Sequence, residues 1–103
     1  MDKKLKLSND KIYMAKEIYE ISKNLSNEKL KNILHGRATE LYFAGAISGR
    51  KIEIDFFRRI NKMPLYKNLY RKKLRKWIKI FSFSPELTFK ILNLKESKFI
   101  TRG

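Results

Sequence analysis

Residues 58–79 read RRINKMPLYKNLYRKKLRKWIK, ten Lys and Arg in 22 positions with no Asp or Glu among them. Tyr66, Tyr70, Leu74, Trp77 and then Phe81 recur through this stretch at intervals of three and four, with Leu69 and Ile78 beside them. That spacing gathers side chains on one side of a helix. It leaves Lys72, Arg75, Lys76 and Lys79 on the other side. The pattern predicts a helix over about 64–81, opened by Pro64, whose fixed φ suits a first helical position. Met63 stands before Pro64, and a residue in that place avoids the α region. A preceding helix, started at Phe56 with Asp55 as its N-cap, is therefore expected to stop near Lys62.

Working upstream, Ile52, Ile54 and Phe56 alternate with Glu53 and Asp55. This reads as an extended connector with room for one brief strand near 51–54. Before it, Gly45-Ala-Ile-Ser-Gly49 supplies two residues able to take positive φ, so a second helix is expected to end there. That helix is capped by Ser26, carries Glu28 in its first turn, and shows Leu30, Leu34, Ala38 and Leu41 as its apolar stripe. A first helix, capped by Asn9 or Asp10 and reaching about Asn24, has Met14, Ile18, Ile21 and Leu25 as its stripe. Residues 1–8 read as a basic leader expected to fray. Downstream, Ser84-Pro85-Glu86 is a strong helix start for a fifth helix to about Asn93, because Ser caps, Pro fits the first position and Glu favours the dipole. Residues 94–103 read as a tail in which Phe99 and Ile100 can pack. The fold class expected is mainly α, a single compact domain of four to five short helices.

The chain has 103 residues, 43% of them hydrophobic and 13% aromatic, enough for one modest core. Lys plus Arg total 25 and Asp plus Glu total 10, a formal charge of +15. The isoelectric point near 10.2 lies in the range of nucleic-acid-binding domains. The excess is uneven, 10 − 6 = +4 in residues 1–50 and 15 − 4 = +11 in residues 51–103. Val, Gln and Cys are absent. Such a composition is what an AT-rich coding sequence yields, which shifts weight from bulk charge to its clustering. Without cysteine there is no disulfide, thiolate metal site or cysteine nucleophile. Neither a signal-peptide core nor a membrane span is visible, the longest uncharged apolar run being 41–47 against the roughly 20 residues a bilayer needs. The expected location is the cytoplasm.

The leading expectation for function is a small non-enzymatic nucleic-acid-binding protein: a regulator, a DNA-packaging or virion nucleoprotein, or a ribonucleoprotein component. The partner is DNA or RNA. The candidate contacts are Arg58, Arg59, Lys67, Asn68, Arg71, Lys72, Arg75, Lys76 and Lys79. About five phosphate contacts on the fourth helix give a log–log salt slope near −4 to −5. Asn68 and Arg71, near its start, are the residues able to read base edges, since Asn pairs with adenine and Arg with guanine. Arg58, Arg59 and Lys62 next to the fourth helix outline a helix-turn-helix, but without the usual small residue or a glycine in the turn. Tyr66 and Tyr70 are left open as stacking platforms, while Trp77 and Phe81 are assigned to packing.

His35, the single histidine, has no companion ligands and is read as structural or surface. Glu53 and Asp55 could share an edge for Mg²⁺ but are more simply ion-paired or capping beside Arg58 and Arg59. Glu96-Ser97-Lys98 matches a nuclease fragment without its upstream acid. No catalytic set, cofactor or metal is expected. The alternative function is a helical interaction module of immunity, anti-defence or adaptor type, binding an acidic protein or an anionic membrane surface.

Overall fold

In a computed structural model of the protein, which describes residues 3–92, the chain is mainly α. Among the described residues there are five helices and no strand: α1 (Lys3–Lys23), α2 (Glu28–Ile52), α3 (Phe56–Arg59), α4 (Lys72–Phe83) and α5, from residue 85 to the end of the described residues at 92. By contacts the chain parts into two compact units, Met1–Asn68 and Leu69–Gly103. No helix among the described residues is long and apolar enough to cross a membrane.

In the first unit α1 and α2 pack as the expected hairpin, but on different residues. Met14 and Ile21 are 52% and 55% exposed, while the buried line of α1 is Ser8, Ile12, Ala15 and Ser22. The buried residues of α2 include Gly36, Ala38, Thr39, Tyr42, Gly45, Ala46 and Gly49. Small side chains let two backbones approach, and close packing then outweighs the mere count of large apolar residues on a face. A Cβ at Gly45 would come within 3.0 Å of the Ser8 carbonyl oxygen and 3.1 Å of Ile12 Cδ1.

The same contact corrects the leader. Residues 3–8 are helical, and Ser8 is buried, with its hydroxyl donating to the Lys4 carbonyl at 3.0 Å and lying 2.6 Å from Ser48 Oγ. At the turn, Asn27 rather than Ser26 is the N-cap of α2, its Oδ1 accepting from Leu30 N at 3.1 Å, with Glu28 in the first turn.

α2 does not stop at its glycines. It runs on to Ile52, about 38 Å in all, and neither glycine takes positive φ. Their role is room: a Cβ at Gly49 would lie 2.2 Å from the Phe56 ring, which is 1% exposed. Residues 51–52 are thus helix and not strand. α3 is a single turn, shorter than expected. Asp55 stands at its N-cap position without a side-chain cap, and its carboxylate lies 3.9 Å from Arg58 instead.

The largest correction falls on residues 61–70, expected as the start of the fourth helix and found without regular structure. Three side chains on one stripe of α2 engage the segment's polar groups. Tyr42 donates its hydroxyl to the Asn61 carbonyl at 3.2 Å, His35 Nε2 donates to the Pro64 carbonyl at 2.9 Å, and Thr39 Oγ1 accepts from Tyr66 N at 2.8 Å. Met63 is buried and the Tyr66 ring sits 5.6 Å from His35, which lies 4.9 Å from Tyr19. Such bonds contribute about 1 kcal/mol each. A helical turn starting at a proline preceded by Met63 has no comparable return.

In the second unit α4 buries Ile78 and Phe81, the latter edge-on to Phe89 of α5 at 6.0 Å. Ser84 ends α4 through its N–H to the Ile80 carbonyl, then caps α5 with Oγ accepting from Leu87 N at 3.2 Å. This matches the expected start at Ser84-Pro85-Glu86. The expected tail, with Phe99, Ile100 and Glu96-Ser97-Lys98, lies outside the described residues.

Candidate nucleic-acid interface

α4 is the most sharply amphipathic helix described, and a rise of about 100° per residue sorts its side chains cleanly. Lys72, Lys76 and Lys79 are exposed on one side, with half-buried Arg75 at its flank. Leu74, Ile78 and Phe81 face the other way. Among the described residues no carboxylate pairs with Lys72, Arg75, Lys76 or Lys79, and the first turn holds no acid.

Two unfavourable terms follow. Among Lys72, Arg75, Lys76 and Lys79 four like-charge pairs stand at i,i+3 or i,i+4 (72–75, 72–76, 75–79, 76–79), costing about 1–2 kcal/mol together. Cations at Arg71, Lys72 and Lys73 also stand where the helix dipole is positive, at a further few tenths each. Burial of Ile78 and Phe81, about 1.5–3 kcal/mol apiece, outweighs both. The helix is held by its inner face, and its outer face stays charged in a way that a bound anion relieves.

The other expected contacts are placed differently. Arg59 pairs with Glu53 and Arg58 with Asp55, so both arginines on α3 have local carboxylates, and the two acids are ion-paired rather than shaped as a cation site. No group of three metal-ligating side chains occurs among the described residues. Lys62, on the same segment, donates to the Phe57 carbonyl and lies 3.4 Å from the centre of the Phe57 ring, where desolvation lowers its pKa. Lys67 and Asn68 are exposed, but on the irregular segment and not on a helix. Arg71 is the N-cap residue of α4. The base-reading pair Asn68 and Arg71 therefore does not share a helix face. The helix-turn-helix outline is also removed, since α3 is one turn and twelve residues separate it from α4. Arg58, Arg59, Lys67 and Asn68 belong to the first unit, and Arg71, Lys72, Arg75, Lys76 and Lys79 to the second.

In the second unit the exposure of Phe83 and Trp77 escapes the sequence pattern, whereas that of Tyr70 is left open by it. Phe83 is 87% exposed and projects from the cationic side, four residues beyond Lys79. Tyr70, next to the N-cap residue Arg71, is 98% exposed. Trp77 is not fully buried: with Arg71, Lys73 and Leu74 it lines an open groove of about 330 Å³. The i,i+4 step from Lys79 to Phe83, and from Lys73 to Trp77, was the available signal. It was hidden because aromatic residues at helical spacing are usually buried.

Comparison with known proteins finds no matching family model, no matching curated protein and no matching solved structure.

Proposed function

We propose that the protein is a small non-enzymatic nucleic-acid-binding protein that grips backbone phosphates, of DNA or RNA, with the cationic side of α4. The observation that carries this reading is the row Lys72, Lys76 and Lys79 with Arg75, maintained against its own repulsion with no carboxylate ion-paired to these four among the described residues. Four contacts give a log–log salt slope of about −3.6 on duplex and about −2.8 on single strands. Lys72, Arg75, Lys76 and Lys79 changed together to Ser should abolish binding of a labelled 20-mer at about 50 mM salt while leaving the helical circular dichroism in place. Unchanged affinity or an unchanged slope would remove α4 from the interface.

A second reading, a helical protein-interaction module, is favoured by Leu7, Met14 and Ile21, exposed large apolar residues at seven-residue intervals on α1. Such spacing suits a partner helix. Capture of a partner through α1 would survive nuclease treatment and fail in Met14→Lys.

A further inference from the structure

The groove beside α4 joins an aromatic surface to fixed positive charge. Its lining is mostly apolar, with Trp77 and Leu74 alongside the stems of Arg71 and Lys73. All four lie in the second unit. At about 330 Å³ it sits at the small end of ligand sites, suited to one planar ring system and its attached groups rather than to a paired double helix. Indole is the strongest stacking surface among side chains. Stacking tolerates any base because every base has a π-face. A base can reach this surface only when it is unpaired, since a duplex buries its base faces within the stack. The cationic row of α4, by contrast, needs only phosphates.

We infer that the groove lined by Arg71, Lys73, Leu74 and Trp77 takes an unpaired nucleobase of a single strand, stacked on Trp77, with the adjoining phosphates held by Lys73 and Arg71. This rests on the nucleic-acid reading and adds a substrate class to it: single strands are preferred over duplexes of equal phosphate content. Charge complementarity selects the occupant, because a polyanion carrying flat apolar rings matches a groove lined by two cationic side chains and an indole.

Trp77 is the single tryptophan of the chain, so its fluorescence reports the groove without labelling. The unmodified protein is titrated with a 20-nucleotide oligothymidylate and, separately, with a 20-base-pair duplex, while anisotropy of labelled strands measures total binding. Quenching of Trp77 by the single strand but not by the bound duplex is the expected result. Trp77→Phe should weaken single-strand binding about fivefold or more and leave duplex binding unaltered, and Lys73→Ser should do the same more weakly. Binding of both strands with unchanged fluorescence would overturn the groove assignment and leave the phosphate-gripping role of α4 standing. Equal quenching by both would overturn it too. Absence of binding to either, with a blue shift on vesicles of phosphatidylglycerol, would overturn this inference and the proposed function together.

Discussion

The α1–α2 hairpin and α4 bury their inner faces by opposite means. The hairpin closes on Ser8, Ala15, Ala38, Gly45 and Ala46, with Ile12 and Tyr42 among them. α4 turns Ile78 and Phe81 inward and charges outward. In the first case stability comes from close backbone approach, and large apolar residues are left outside. In the second it comes from apolar area, and the outside is free to be cationic. One lesson is that a stripe of large hydrophobes marks the buried side only where no line of small residues competes for it.

The largest way to test that contrast is at the end of α2, where Gly49 makes room for Phe56. Phe56→Ala is expected to destabilise the protein by about 3–5 kcal/mol, because the ring is 1% exposed and fills the space against Gly49. Urea denaturation followed by circular dichroism measures it. A loss below about 1 kcal/mol would mean that the hairpin collapses over the gap and that the glycine notch is not the anchor of α3.

Legibility from sequence divides along the same line. α4 from Lys72 onward, the Ser84 cap and the cationic side were readable because periodic large residues and capping chemistry are local signals. The glycines were misread as a stop, since their reason lies 37 residues away at Ser8 for Gly45 and in the Phe56 ring for Gly49. The irregular path of 61–70 was likewise unreadable: His35, Thr39 and Tyr42 decide it through tertiary hydrogen bonds, and nothing in residues 61–70 announces them. Of the site, the charge was legible and the groove was not. Trp77 looks like core by period, and its place in the groove lining follows only from the folded second unit.

A test of intermediate size uses Tyr42, the large side chain within the otherwise small-residue seam. Burial raises its pKa from 10.0 to about 12, because the phenolate would lose its hydration. The folded value lies above the unfolded one, so its contribution is complete below about pH 10 and is lost as pH climbs through about 12, some 2–3 kcal/mol over that window. Lysines lose charge in the same range and relieve repulsion, so the comparison must be with Tyr42→Phe. That variant gives up about 1 kcal/mol at pH 8 with the hydrogen bond to the Asn61 carbonyl, yet its stability should fall less between pH 10 and 12 than that of the unmodified chain. Identical alkaline profiles would place the phenol in water.

The smallest effect is expected where the sequence pattern promised the largest. Met14 and Ile21 belong to the most regular apolar stripe of α1, and truncating buried residues of their size costs about 2–5 kcal/mol each. Both are more than half exposed. Ala is also the better helix former, by a few tenths of a kcal/mol over Met and somewhat more over Ile. Met14→Ala and Ile21→Ala should therefore each change stability by no more than about 0.5 kcal/mol, and should add independently, being nearly two turns apart. Ala15→Leu, one residue from Met14 but inside the seam, should cost about 1–3 kcal/mol by overpacking. Were the order reversed, with Met14→Ala severe and Ala15→Leu mild, the stripe would be the buried side after all and the small-residue seam would be refuted.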